Sequence, residues 1–321
     1  MKMLGKILLG ITALLVTAFM IFRTPDTDPA DMRAKYGGEP SQFIAMEDGL
    51  TVHMRDEGPS GAPVIVLLHG SNADLHAWQP WAEQLRSDYR IIRFDQIGHG
   101  LTGPAPDGDY STAAFVKTVD QVADALGLDT FVLGGNSMGG GIALAYAMAH
   151  PGRLDGLILV DASGAPIKRE RGGGNIGFTI ARMPVLNNLM TQITPRSIIE
   201  QSLSQSVSNQ AVVTPQTVDR YWELLRYPGN RAATLARFGQ PGNSFSASEV
   251  QQVKVPTLII WGEEDVLIPF EAAAWFAANL PGSSSISYPG IGHLPMEEAP
   301  EESAAAVRGW LGESALAAAA P

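Results

Sequence analysis

One serine stands in a setting that would expose its hydroxyl group for nucleophilic attack. Ser137 lies in a Gly-Asn-Ser-Met-Gly pentapeptide, residues 135–139, which follows the apolar run 130–133 and precedes a helix-forming run, 142–149. When a strand turns sharply into a helix, one side chain projects from the turn, and small flanking residues let the backbone bend without a Cβ clash. The pattern predicts that Ser137 is a nucleophile. The alternative is a serine that only caps the following helix.

A serine nucleophile needs a base that takes its proton, and His293 is placed for that role. It follows the last predicted strand, Ser284–Tyr288, and precedes a predicted closing helix over 299–311. A loop at that point lies at the carboxyl edge of a parallel sheet, where the turn that carries Ser137 would also lie. We therefore predict that His293 is the general base. His150, at the end of the helix after Ser137, suits a helix C-cap instead.

The imidazole needs a carboxylate that orients it, and several acids follow predicted strands. Asp265 comes just after the predicted strand 255–261 and lies between Ser137 and His293 along the chain. This gives the order serine, acid, histidine, which is one of the known orders of such a triad. We predict Asp265 as the orienting acid. The alternative acids are Glu263 and Glu264 in the same loop and Asp161 after the preceding strand.

Negative charge that develops on a substrate oxygen needs two backbone N–H donors. One predicted donor is the amide of Met138, the residue after the serine. The other is the amide of Ser71, in the His-Gly-Ser turn that follows the apolar strand Val64–Leu68. His69 and Gly70 are expected to shape this turn.

Short apolar runs alternate with helical patterns over most of the chain. This alternation predicts a largely parallel sheet that is covered by helices on both faces. The alternation is interrupted between 163 and 253, where no buried strand is recognisable and a helical insertion is expected. The predicted strands are 41–46, 50–55, 64–68, 89–94, 130–133, 154–160, 255–261 and 284–288, and the predicted core helices are 78–86, 112–126, 140–150 and 299–311.

The composition excludes several classes of partner and chemistry. The 321 residues carry a net charge of −11, which argues against nucleic acid because phosphate binding needs clustered Lys and Arg. Cysteine is absent, so disulfides, a thiol nucleophile and thiolate-bound metal are excluded. Apolar residues make up 45% of the chain, enough for a full core. Neither a metal nor an organic cofactor is implied.

The N-terminus has the pattern of a membrane-directed segment. Lys2 and Lys6 precede an apolar run over 7–22, and no small-residue cleavage site follows that run. We predict a signal anchor over residues 1–22, with a cleaved signal peptide as the alternative. Lys2 and Lys6 before the run, against the acids Asp26, Asp28 and Asp31 after it, predict that the N-terminus stays inside and that the catalytic domain faces the periplasmic side. Residues 23–40 are expected to form a stalk.

The motifs described above, taken together, resemble the α/β-hydrolase superfamily. The matching strings are His69-Gly70-Ser71, Asp95-x-x-Gly98-x-Gly100, Gly135-Asn136-Ser137-Met138-Gly139-Gly140, Trp261-Gly262-x-x-Asp265 and Gly292-His293. The resemblance implies a mostly parallel central sheet flanked by helices, with a helical cap inserted into it. It divides the soluble chain into a first core part over 41–162, a cap over 163–253, a second core part over 254–312 and a frayed tail over 313–321.

The resemblance leaves more than one substrate open. Residues 135–141 followed by His150-Pro151 are similar to hydrolases that cleave carbon–carbon bonds in meta-cleavage products. Those enzymes usually carry an aromatic residue after the histidine, where this chain has Leu294, and a cap arginine, for which Arg182 is a guess. Hydrolysis of small to medium apolar carboxylic esters is therefore the first expectation. The alternatives are a carbon–carbon hydrolase, a lactonase and a non-catalytic binding protein. The apolar residues expected in the lid are Ile176, Phe178, Ile180, Met183, Val185 and Leu186.

Overall fold

A single sheet of eight strands runs through the centre of the described part of the protein. The computed structural model describes residues 2–167, 179, 183, 189, 191–240 and 244–318. The strands are β1 (Ser41–Ala45), β2 (Thr51–Glu57), β3 (Val64–Leu68), β4 (Arg90–Phe94), β5 (Phe131–Asn136), β6 (Leu154–Val160), β7 (Thr257–Gly262) and β8 (Ser284–Tyr288). Their order in the sheet is β1-β2-β4-β3-β5-β6-β7-β8. The pairs β1–β2 and β2–β4 are antiparallel, and every other neighbouring pair is parallel.

Helices cover both faces of this sheet, as the alternating pattern predicts. The described helices are α1 (Lys2–Phe22), α2 (Pro29–Tyr36), α3 (Gln79–Leu85), α4 (Thr112–Ala125), α5 (Met138–Ala149), α6 (Arg196–Ser204), α7 (Pro215–Leu225), α8 (Asn230–Phe238), α9 (Ala247–Val250), α10 (Glu271–Asn279), α11 (Pro295–Glu298) and α12 (Pro300–Ala318). The central strands are buried on both faces, which explains why their sequences are continuous apolar runs rather than alternating ones. Two apolar clusters, one containing Leu68 and Leu133 and the other Leu67 and Val132, fill the spaces between strands and helices.

The interruption of the alternating pattern corresponds to helices between β6 and β7. We call α6, α7 and α8 the insertion helices; they lie within the range predicted as a cap. Met183, one of the predicted lid residues, is 42% exposed. The other five predicted lid residues and Arg182 lie outside the described residues. At the C-terminus, α12 continues to Ala318, through most of the range predicted as a frayed tail.

The N-terminal segment forms a helix and then a strap against the insertion helices. Among the helices that the structure describes, none is both long and apolar enough to cross a bilayer, so the expected membrane anchor over 1–22 gains no support. Downstream, the Thr27 amide donates to the carbonyl of Arg226 at 3.0 Å. Lys35 forms an ion pair with Glu223 at 2.7 Å. Part of the range predicted as a stalk therefore lies on α7.

Candidate active site

Ser137 lies in a strained turn between β5 and α5. Its φ and ψ angles are 55° and −117°, a conformation that costs a non-glycine residue about 1–3 kcal/mol. The glycines at 135 and 139 permit this turn, because a Cβ on Gly135 would lie 2.3 Å from the Gly139 backbone and a Cβ on Gly139 would lie 2.2 Å from the Leu68 carbonyl oxygen. Ser137 occupies the N-cap position of α5, yet its hydroxyl makes no capping hydrogen bond. The hydroxyl therefore does not serve as a helix cap.

The structure brings Asp265 and His293 into direct contact. His293 Nδ1 lies 2.6 Å from Asp265 Oδ2, and both side chains are buried. The other carboxylate oxygen of Asp265 accepts hydrogen bonds from the amides of Leu267 at 2.7 Å and Ile268 at 3.1 Å. These bonds hold the carboxylate facing the ring, with Nδ1–H as its donor and Nε2 left available to act as a base.

Ser137 and His293 line the same cavity. Their side chains make no direct hydrogen bond in the described structure, an arrangement that is common before substrate binds. Asn136 provides a second link between the two loops, because its Nδ2 donates to the carbonyl of His293 at 3.0 Å and to that of Val160 at 3.2 Å. The sequence analysis gave no role to Asn136, although its place next to the serine was visible.

Asp161, the alternative acid, lies beside Asp265 and not against the histidine ring. It is fully buried, has a φ of 45°, and accepts a hydrogen bond from the Gly262 amide at 3.1 Å. Ligand atoms of Asp161, Asp265 and His293 all lie within 4.8 Å of one another. Burial, reinforced by the negative charge of Asp265, holds the pKa of Asp161 well above its ordinary value. Asp161 therefore keeps its proton to a higher pH than an ordinary aspartic acid.

The raised pKa of Asp161 predicts a pH-dependent stability difference for Asp161→Asn. Above about pH 4 the unfolded chain releases this proton while the folded protein retains it, so the wild-type protein loses stability as the pH rises toward the raised pKa. Asn carries no such penalty. We expect the Tm of the variant relative to wild type, measured by thermal unfolding, to increase as the pH is raised above about 4.

The matched control for this prediction is Asp155→Asn, which changes an exposed acid on β6, the strand that Asp161 directly follows. It should show no comparable trend. A constant difference between Asp161→Asn and wild type over the whole pH range would show that Asp161 is ionised in the folded protein.

Of the two predicted oxyanion residues, Ser71 lines the cavity, and Met138 directly follows Ser137, which also lines it. Ser71 lies in the turn after β3, and Met138 begins α5. Neither amide donates a hydrogen bond to another residue that the structure describes, which leaves both N–H groups for a substrate oxygen. The Ser71 hydroxyl does not add a third donor in this arrangement, since it donates to Met138 Sδ at 3.8 Å.

His69 supports the turn that carries Ser71. Its Nε2 accepts a hydrogen bond from the Gln96 amide at 3.0 Å, so the ring proton lies on Nδ1, which contacts the Gly70 carbonyl oxygen at 2.8 Å. Burial lowers the pKa of His69 and keeps it neutral. These contacts agree with the prediction that His69 shapes the turn that carries Ser71.

Glu298 is the main supporting residue that the sequence analysis missed. One of its carboxylate oxygens accepts hydrogen bonds from the amides of Ser208 at 2.8 Å, Asn209 at 2.9 Å and Gly292 at 3.1 Å. The other accepts from the Leu294 amide at 3.1 Å. A single buried carboxylate therefore holds the backbone on both sides of His293 and ties it to the segment after α6.

The surface of the cavity beside Ser137 is mainly apolar, although polar residues also line it. The large aliphatic side chains in its wall are Ile198, Ile199, Leu203, Leu225, Leu235, Leu267 and Leu294. Arg231 is the only Arg or Lys among the described lining residues, and its guanidinium is paired with Asp26 at 2.6 Å. The space next to the serine is therefore suited to an apolar group.

A second Ser-His-Asp array occurs elsewhere in the fold. Ser41 Oγ lies 2.9 Å from His53 Nε2, and His53 Nδ1 lies 2.7 Å from Asp95 Oδ2. However, the cavity lining includes none of these three residues, and Arg55 already donates to Ser41 Oγ at 3.0 Å. Asp95 also accepts from the amides of Leu75 and Leu101. This array fixes the edge of the sheet, which shows that the array alone does not define a catalytic site.

Comparisons with known proteins agree with this architecture. Residues 63–300 match the family model for the alpha/beta hydrolase fold, so the chain belongs to that family. A 2-hydroxymuconate semialdehyde hydrolase of Pseudomonas putida is 29% identical over 83% of this chain and 92% of its own. A thermophilic esterase from Thermogutta terrifontis, whose structure was solved with malate bound, is 27% identical, with a TM-score of 0.71 over 85% of this chain and 98% of its own. A membrane phospholipase A shares the fold over 98% of this chain and 99% of its own, with a TM-score of 0.75 and 24% identity.

Proposed function

We propose that this protein is a serine hydrolase that cleaves carboxylic esters of small to medium apolar acyl groups. The observation that carries the proposal is the Ser137 hydroxyl, which is held in a strained turn, does not cap its helix and faces a mainly apolar cavity together with His293. Backbone strain at an exposed nucleophile is a recurrent device of active sites. Similarity to an esterase agrees with this substrate class.

The proposed reaction proceeds through an acyl-enzyme. His293 Nε2 takes the Ser137 proton as Ser137 Oγ attacks the ester carbon, and the amides of Ser71 and Met138 bind the oxygen that becomes negative. Asp265 stabilises the imidazolium that forms. The imidazolium then protonates the leaving alcohol. Water, deprotonated by His293, then attacks the acyl carbon, and the imidazolium returns that proton to Ser137 Oγ as the bond between Oγ and the acyl carbon breaks and the carboxylic acid leaves.

A carbon–carbon hydrolase or lactonase on the same residues is the second candidate. It is favoured by the similarity to a 2-hydroxymuconate semialdehyde hydrolase. That substrate carries a carboxylate, which would need a cation in the cavity. Because Arg231 is already paired with Asp26 within the described residues, the cavity favours an uncharged acyl group.

The test is hydrolysis of p-nitrophenyl esters of increasing acyl length, measured beside 2-hydroxymuconate semialdehyde and a simple lactone. We expect kcat/KM to be greatest for short to medium acyl chains and to fall for long chains, since the apolar cavity is bounded by the insertion helices. Ser137→Ala removes the attacking atom and should abolish turnover of every ester.

The outcomes separate the candidates. Faster turnover of the semialdehyde than of any ester would replace the ester proposal with carbon–carbon hydrolysis. Equal, negligible rates for wild type and Ser137→Ala on all three substrate classes would contradict catalysis altogether and leave a binding role.

A further inference from the structure

The turn that carries the Ser71 amide is held from the insertion helices. Asn72 has a φ of 60°, in the left-handed region that a non-glycine residue adopts only when its surroundings favour it. Its side-chain oxygen accepts hydrogen bonds from Arg237 Nη2 and Thr234 Oγ1, both at 3.2 Å. Both donors lie on α8, more than 160 residues away along the chain. The strained residue is therefore fixed by contacts from outside its own loop.

Arg237 also reaches the predicted oxyanion residues themselves. Its Nη1 donates to Ser71 Oγ. Ser71 Oγ in turn donates to Met138 Sδ at 3.8 Å. A continuous chain of contacts thus runs from α8 through the Ser71 side chain to the Met138 side chain. The two residues whose amides would bind the oxyanion are fixed relative to each other by this chain.

The guanidinium of Arg237 forms no ion pair with a carboxylate of the described residues. The Nε atom of Arg237 is buried and has no hydrogen-bond partner among the residues that the structure describes. Burial lowers the pKa of Arg237 to about 10, so it stays charged at neutral pH. An uncompensated cation in a partly buried place raises the electrostatic potential at the adjacent oxyanion amides.

We propose that Arg237 is a positioning residue for the oxyanion hole, through which the insertion helices set the geometry of the Ser71 and Met138 amides. The inference rests on the proposed serine hydrolase function. It adds a determinant of the rate that lies outside the cavity lining and does not touch the substrate. Because it acts on a group that binds the transition state more strongly than the substrate, its removal should affect kcat more than KM.

The test compares Arg237→Met, Arg237→Lys and Asn72→Gly in the full chain. We expect Arg237→Met to lower kcat for p-nitrophenyl butyrate about 10- to 100-fold with KM changed less than about twofold, because small displacements of catalytic groups are costly. Arg237→Lys keeps the charge but cannot make both contacts, and should fall between wild type and Arg237→Met. Arg308→Met, which removes an exposed arginine on α12, is the control and should leave kcat unchanged.

Asn72→Gly separates positioning from stability. Glycine adopts the left-handed conformation without strain, so the Tm should stay the same or rise, while loss of the contact to α8 should lower kcat about 10-fold. A purely structural role for Asn72 predicts no kcat change in a variant that is equally stable. Butylboronic acid forms a tetrahedral adduct with a catalytic serine. Its affinity should fall in parallel with kcat in Arg237→Met and in Asn72→Gly.

Hydrogen–deuterium exchange of residues 69–73 decides the inference independently of activity. Exchange should be faster in Arg237→Met than in wild type, with exchange in β6 unchanged. If wild type hydrolyses esters but Arg237→Met matches it in kcat and in exchange, the positioning role is wrong while the proposed function stands. If wild type shows no Ser137-dependent turnover, the proposed function fails, and unchanged exchange would then also exclude the contact between α8 and the loop.

Discussion

Asp265→Asn is expected to lower kcat for ester hydrolysis about 10⁴-fold. Asp265 Oδ2 lies 2.6 Å from His293 Nδ1 and accepts a hydrogen bond from the Nδ1–H group. An Asn side chain that turns its NH₂ group toward the ring favours the opposite tautomer, in which Nε2 carries the proton and cannot remove that of Ser137. The size of the cavity does not change, so KM should change little. Steady-state kinetics on the preferred ester, with a melting curve to verify folding, measure both quantities.

Asp161→Asn is the matched control for this prediction, because Asp161 is equally buried and lies beside the same carboxylate. Asn can still accept a hydrogen bond from the Gly262 amide through its oxygen, and its NH₂ group can donate to the neighbouring carboxylate of Asp265. We expect kcat to stay within about threefold of wild type. The reverse pattern, with Asp161→Asn inactive and Asp265→Asn active, would assign the orienting acid to the other strand and contradict the hydrogen-bond geometry.

The core strands could be predicted from the sequence because their signal is local. The predicted strands over 64–68, 154–160 and 284–288 coincide with β3, β6 and β8. β3 and most of β6 are apolar because both of their faces are buried, whereas β8 is a partly exposed edge strand with the sequence Ser-Ser-Ile-Ser-Tyr. The helices α2 and α10 were not predicted. Both are short, and Ala-rich or charged segments of that length have no periodicity that distinguishes them from a loop.

Some residues of the candidate site could likewise be predicted from the sequence, and others could not. Ser137, His293 and Asp265 could be named because each follows a recognisable strand, and the carboxyl ends of parallel strands meet at one edge. Arg237 could not, because its partner Asn72 lies 165 residues away along the chain. Glu298 could not, because two of its four partners, Ser208 and Asn209, lie 90 and 89 residues away. Such contacts depend on how the insertion packs on the core, and the residue types alone fit an ordinary solvent-exposed helix. The choice between Asp161 and Asp265 likewise required three-dimensional geometry.

Glu298→Ala is expected to lower the free energy of unfolding and, as a separate effect, to lower kcat. The substitution leaves four amides without their acceptor, two beside His293 and two in the segment after α6. A buried donor without a partner costs about 1–3 kcal/mol, so the free energy of unfolding should fall by about 4 kcal/mol or more. For a chain of this size the Tm should fall by about 10 °C. Because the backbone around His293 loses its support, kcat should fall about 100-fold even below the melting transition.

Two further variants separate these effects. Glu298→Gln keeps one acceptor oxygen but turns an NH₂ group toward at least one amide, so its losses in Tm and kcat should be intermediate. Glu301→Gln, at an exposed acid three residues further on, should behave as wild type. If Glu298→Ala lowers the Tm while kcat at low temperature stays at the wild-type value, Glu298 stabilises the fold without positioning the histidine. A parallel loss of kcat in Ala and Gln variants that remain folded would instead show that the segment after α6 and the His293 loop are held together by this one carboxylate for catalysis.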